Sequence, residues 1–159
     1  MTEPYKYAPD NYVEIGALPA ERAVINFDGS CEPRNPGGIA IGSWVIKDWK
    51  CNLLSRNGKE VCRGPGSTNN IAEWAGLYYA LEYLDSIAWS YPVEIIGDSQ
   101  LVIKQLTGLW AVKKPHLQQW HKKVAELICK WQWSARWVAR ELNADADAAG
   151  REVYRSGRR

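Results

Sequence analysis

No Cys-x-x-Cys pair occurs among the four cysteines, Cys31, Cys51, Cys62 and Cys129, and neither histidine stands near one at ligand spacing. That argues against a zinc site. A secretory leader and a long apolar run are missing too, so the chain reads as a cytoplasmic protein with reduced thiols and no membrane partner. A disulfide among the four cysteines stays open. Charge of one sign is also scarce: 20 Lys and Arg against 18 Asp and Glu leave a net charge of +2. The total does not announce a nucleic-acid binder, but the distribution is uneven. Lys113, Lys114, Lys122 and Lys123 cluster, and the C-terminus carries Arg151, Arg155, Arg158 and Arg159. Local basic surface matters more for phosphate binding than the sum, although each cluster could equally be solvated surface.

What is present fits one compact domain. A chain of 159 residues, 46% of them hydrophobic, can bury a core without staples. Nine tryptophans stand out; they suit a core and its margins, with one or two free to stack on bases. Residues 1–21, with Pro4, Pro9 and Pro19 and no sustained period, read as a loose N-terminal extension. Residues 22–155 read as the folded domain and 156–159 as a basic tail.

Within the domain, Ala23-Val24-Ile25-Asn26-Phe27 is a short β-prone run that ends at Asp28-Gly29-Ser30. A Pro/Gly-rich loop separates it from a second strand over Ile39 to Lys47, and a third covers roughly Cys51 to Val61. Asn57-Gly58 fits either a hairpin turn or a glycine inside that strand. From Ser67 to Leu84 the apolar residues recur at three and four, as on a helix. Val93 to Gly97 reads as a fourth strand. A short helix follows from Ser99 to Leu106, capped by Asp98 or Ser99. Pro115 suits the first turn of a longer helix reaching about Lys130. Trp133 to Ala139 alternates as a fifth strand, and an alanine-rich helix spans Asn143 to about Tyr154. The order βββαβααβα predicts an α/β fold: a meander followed by β–α–β units, giving a mixed sheet with helices packed on it.

Four acids fall at telling places. Asp28 closes the first predicted strand and Asp98 the fourth; Glu73 lies on the first helix and Asp147 on the last. If the first and fourth strands are parallel neighbours, all four could converge. Unpaired carboxylates held together repel and raise one another's pKa values, a conflict that hard divalent cations relieve. Two ions about 4 Å apart can activate a water and stabilise the leaving oxygen of a phosphodiester. Taken singly, each acid has a structural alternative: Asp28-Gly29 as a turn, Asp98-Ser99 as a helix cap, Glu73 and Asp147 as solvated helix residues.

The sequence around these acids resembles the type 1 ribonuclease H family. Asn26-Phe27-Asp28-Gly29-Ser30 with Asn35-Pro36-Gly37-Gly38 is similar to its first-strand motif and loop, and Thr68-Asn69-Asn70-Ile71-Ala72-Glu73 to its T-N-N-x-A-E helix start. Gly97-Asp98-Ser99-Gln100 resembles T-D-S-Q, and Arg140-Glu141-Leu142-Asn143-Ala144-Asp145-Ala146-Asp147 resembles R-E-x-N-x-x-A-D. The motifs occur in order over about residues 22–155.

The resemblance implies a five-stranded mixed sheet of order 3-2-1-4-5 with helices on both faces. It also implies an endonuclease that uses two Mg²⁺ ions, with Mn²⁺ as a substitute, to cut the RNA strand of an RNA–DNA hybrid into 5′-phosphate and 3′-hydroxyl products. Asp28 would bridge both ions, Glu73 and Asp98 would hold one, with Glu73 also near the RNA 2′-hydroxyl, and Asp147 would help hold the ion that activates water. Asn35, Asn69, Asn70 and Gln100 match positions that contact the hybrid through its minor groove, where neutral amides bond base edges and 2′-hydroxyls without fixing one sequence. Thr68 matches a residue of a pocket for a DNA phosphate.

Two departures qualify the match. Many members carry a histidine in the loop before the last helix; here Arg136-Trp137-Val138-Ala139-Arg140-Glu141 has none, and His116 and His121 read as surface residues of the preceding helix. Arg140 or Glu141 are the available replacements. The Gly108 to Lys114 link is also too short for the basic protrusion of some members, which points to the compact subtype. Trp110, Lys113 and Lys114 could still touch the DNA strand, against simple packing and solvation. The expected protein is a monomer whose basic C-terminus adds salt-dependent affinity. The competing readings are a transposase, integrase or junction resolvase on the same fold, and a hybrid-binding module without catalysis.

Overall fold

The computed structural model describes residues 10–157. Five strands, β1 (Ala23–Glu32), β2 (Gly37–Lys47), β3 (Leu53–Gly64), β4 (Val93–Gly97) and β5 (Trp133–Trp137), form one sheet in the order β3-β2-β1-β4-β5. Four helices accompany it: α1 (Asn69–Ser86), α2 (Gln100–Leu106), α3 (Pro115–Ile128) and α4 (Ala144–Gly157). β1–β2 and β2–β3 are antiparallel, whereas β1–β4 and β4–β5 are parallel. The predicted architecture and strand order hold.

α1 and α4 lie on opposite faces. Asp28, Ser43 and Gly58 are cross-strand partners and share the α4 face, where the Ser43 hydroxyl donates to the carbonyl of Ala146 at 2.8 Å. One residue along, Gly29 and Gly42 share the other face, where the α1 backbone rests on them. A Cβ on Gly29 would stand 2.2 Å from the Glu73 nitrogen, and one on Gly76 would stand 2.6 Å from the Asp28 carbonyl oxygen. Only glycine admits so close an approach. This pairing seats α1 against β1 and brings Glu73 beside Asp28.

α1 is buried continuously from Ile71 to Leu77, more widely than a single stripe predicts, because it lies between the sheet and α2 and α3. Trp74 and Trp133 are fully buried members of the core. Each such side chain contributes roughly 1.5–3 kcal/mol or more by leaving water.

Several boundaries differ from the sequence reading. β1 does not end near Asp28 but continues to Glu32, because β2 goes on pairing with it beyond the end of β4. Asn57-Gly58 makes no hairpin; Gly58 lies inside β3, opposite Ser43. A 3-10 turn, Arg140–Asn143, precedes α4, and α4 extends past Tyr154 to Gly157, so half of the segment read as a tail is helical. His121 is fully buried, edge-on to Trp74 with centroids 5.4 Å apart, and burial lowers its pKa to about 4. The surface reading of that histidine is wrong; His116 is exposed.

Residues 1–9 of the N-terminal extension lie outside the described residues, but residues 10–21 are anchored. The Val13 N–H donates to the Trp133 carbonyl at 2.9 Å, the Trp133 N–H donates to the Asn11 carbonyl at 3.1 Å, and Leu18 is buried. The contact with Asn11 and Val13 covers the otherwise open edge of β5, which would be prone to pairing with other chains.

Candidate active site

The last β1–β4 pair is Phe27 with Gly97, so Asp28 and Asp98 are the residues that follow it on parallel neighbours. Beyond this point β1 keeps its partner β2 but loses β4, and the sheet opens. Glu73 enters from α1. Asp28, Glu73 and Asp98 each offer a carboxylate oxygen within 4.8 Å of the others. Asp147, from the first turn of α4, lines the same cavity of about 660 Å³, where Arg151 engages it in an ion pair. All four predicted acids thus face one cavity, three of them as a tight group.

Electrostatics show the strain of that grouping. Burial, then the charge of Asp98, push Asp28 up to about 8; Glu73 and Asp147 add to the effect, while a hydrogen bond from the Gly29 backbone opposes it. Burial raises Glu73 to about 7, with Asp98 adding and a Ser99 hydrogen bond and the Arg140 charge opposing. Asp98 is raised chiefly by burial and moderated by Arg140. Three crowded carboxyls with oxygen donors only are suited to a hard divalent cation.

Neighbouring groups fix the acids in place. Asn143, 1% exposed, donates from Nδ2 to the Phe27 carbonyl at 2.8 Å and accepts from Asn26 Nδ2 at 3.1 Å. It also donates to Asp98, so one amide links β1, β4 and the entrance to α4. Ser99 caps α2 by accepting from the Val102 N–H at 3.2 Å, and its hydroxyl donates to Glu73. The exposed indole of Trp137 donates to the Asp98 carbonyl at 2.9 Å. The sequence reading singled out none of these three for such a role. Asn143 sits in the R-E-x-N-x-x-A-D segment, the only signal available; the tie from Trp137 to Asp98 has no sequence signature.

Asn35 and Asn69 also line the acid cavity and are bonded to each other: Asn35 Nδ2 donates to Asn69 Oδ1 at 2.8 Å, and the Asn69 N–H donates to Asn35 Oδ1 at 3.1 Å. The Thr68 hydroxyl caps α1 by accepting from the Ile71 N–H at 3.2 Å. Gln100, the first residue of α2, is exposed. Asn70 belongs to a second groove of about 660 Å³, lined also by Leu101, Trp110, Lys113 and Lys114. There Lys104 Nζ lies 4.6 Å from the centre of the Trp110 ring. The candidate contacts therefore fall into two adjacent depressions, joined at Asn69-Asn70. Arg140, Arg151, Tyr154 and Arg155 supply the basic and aromatic wall of the acid cavity.

Comparison with known proteins agrees with this arrangement. Residues 26–153 match the family model described as reverse transcriptase-like. The chain is 37% identical over 128 residues to a protein named ribonuclease HI from Halobacterium salinarum, covering 80% of this chain and 61% of that one. It thus spans less than two thirds of that relative's length. The crystal structure of RNase H1 from the same archaeon superposes with a TM-score of 0.76 and 34% identity, covering 85% of this chain and 98% of that one. A crystal structure of LC11-RNase H1 in complex with an RNA/DNA hybrid gives a TM-score of 0.73 and 30% identity over 82% of this chain and 94% of that one. With the ordered motifs, the sheet order and the convergent acids, these matches place the chain in the type 1 ribonuclease H family.

Proposed function

We propose that this protein hydrolyses the RNA strand of RNA–DNA hybrids, with divalent metal ions held by Asp28, Glu73, Asp98 and Asp147. The observation that carries the reading is the approach of three carboxylates to within 4.8 Å at the open end of β4. Their oxygen-only chemistry suits Mg²⁺, with Mn²⁺ as a substitute, better than zinc. Two bound ions would supply positive charge and an acidified water at the scissile phosphate. Asp28, Glu73 and Asp98 would hold one ion, with Asp28 shared and Asp147 completing the other.

The remaining residues bind and orient. Asn143, Ser99 and Trp137 keep the acids in register, so little reorganisation is needed when a phosphate arrives. Asn35, Asn69, Asn70 and Gln100 would meet the minor groove of the hybrid, and the mutual hydrogen bonds of Asn35 and Asn69 hold two of these amides ready. Trp110, Lys113 and Lys114 would receive the DNA strand in the second groove, taking over from the absent basic protrusion. For Thr68 the helix cap already uses the hydroxyl as acceptor, and its hydrogen remains to donate to a DNA phosphate. With no loop histidine, Arg140, whose charge acts on Glu73 and Asp98, would supply a cation beside the scissile phosphate. The enzyme would act as a cytoplasmic monomer; no helix among the described residues is long and apolar enough to cross a membrane.

The test is a comparison of three labelled substrates with and without Mg²⁺: a hybrid, duplex DNA and a four-way junction. Cleavage of the RNA strand alone, leaving 5′-phosphate and 3′-hydroxyl ends, is expected. Cleavage of the junction or of duplex DNA in preference would favour a resolvase or transposase, and binding without cleavage would favour a non-catalytic module.

A further inference from the structure

Asp147 lines the acid cavity but stands outside the three acids whose oxygens approach within 4.8 Å. Its Oδ2 accepts from Nη2 of Arg151, one helical turn later. The Arg151 side chain is 65% exposed, so it is free to leave, and it faces the same cavity as Arg155 and Tyr154. We propose that Arg151 is a displaceable counter-ion, which holds the Asp147 carboxylate until a second divalent ion claims it and then turns to a phosphate of the RNA strand. This rests on the metal-dependent nuclease reading above.

Metal ion and guanidinium compete for one carboxylate. Asp28, Glu73 and Asp98 repel one another, and a first ion would relieve that repulsion with no ion pair among the described residues to break. An ion that uses Asp147 must displace Arg151 and then sit close to a cation. The exposed i, i+4 pair opposes this exchange only about twofold, and repulsion between guanidinium and dication adds to it. The released guanidinium matches a phosphate, which it can grip through two parallel N–H donors. Loading of the second ion and binding of the RNA backbone should therefore help each other, and by linkage the help is mutual.

The experiment counts bound Mn²⁺ by electron paramagnetic resonance during titration of the substrate-free protein, for wild type, R151A, R151K and D147N. Wild type should take up a tight ion and a weaker one. R151A should lower the midpoint of the weaker phase about threefold or more while leaving the tighter one in place. R151K should restore the wild-type midpoint, and D147N should lose the weaker phase. A second readout is affinity for a hybrid made uncleavable by 2′-O-methyl RNA, which should rise with Mn²⁺ more steeply in wild type than in R151A. Superimposable isotherms for wild type and R151A, or a shift confined to the tighter phase, would overturn the counter-ion role. If wild type takes up no Mn²⁺, the metal-dependent reading itself falls with it.

Discussion

Asp28 and Glu73 titrate upward on folding, to about 8 and about 7, because burial and neighbouring acids disfavour their charged forms. Without divalent ions these two carboxyls therefore hold more protons in the folded than in the unfolded chain between pH about 4 and about 8, and their contribution to stability falls as pH rises through that window. Since Mg²⁺ binds the ionised acids, the gain in melting temperature on adding it should be larger at pH 8 than at pH 5.5. An equal gain at both values would show that these carboxyls are not what the ion binds. Asp28→Asn removes one charge from the group. In metal-free buffer at pH 8 it should raise the melting temperature by about 2–4 °C per kcal/mol of repulsion relieved, while kcat on a hybrid falls at least about a hundredfold. All four acids were readable as candidates because the motifs bracket them. The ion pair of Asp147 with Arg151 was not, because i, i+4 spacing on a helix is common and does not show which acid faces a cavity.

At the scale of elements, the site depends on two joints. The first is the backbone contact of α1 with β1: Gly29→Ala would drive a Cβ into the Glu73 backbone, at a cost of at least about 1–3 kcal/mol. Chemical denaturation should show that loss, and a Mn²⁺ titration should show weaker uptake of the tight ion, since Glu73 moves with α1. The second joint is Asn143, which is buried and bonded to Phe27, Asn26 and Asp98. Asn143→Ala leaves buried partners unmatched and should cost about 1–3 kcal/mol, with kcat falling more than KM rises. Alternation, helical periodicity, capping residues and alanine content located the five strands and the four helices, most of which turn an apolar face to one core, while α4 packs small residues on the other side of the sheet. They misplaced the end of β1, since a strand that keeps one partner after losing the other shows no break in its residues. They also took residues 10–21 for a loose segment, because a few hydrogen bonds to the edge of β5 need no apolar pattern. His121 looked polar by type, yet it fills a fully buried place against Trp74.

For the whole molecule, the net charge of +2 conceals a division between an acid floor and a basic wall within one cavity. Because α4 runs to Gly157, removing residues 151–159 would cut away helix as well as charge, so single substitutions test the basic wall more cleanly. Arg155→Gln should reduce the slope of log affinity for a hybrid against log salt by about 0.7–1, as expected for one lost phosphate contact; an unchanged slope would place Arg155 away from the backbone. Whether the acids cage a metal ion is best decided by anomalous diffraction from crystals soaked in Mn²⁺. A peak is expected at about 2.0–2.2 Å from oxygens of Asp28, Glu73 and Asp98 together. Splayed acids with no peak between them, in crystals of protein that cleaves a hybrid in Mn²⁺, would contradict it.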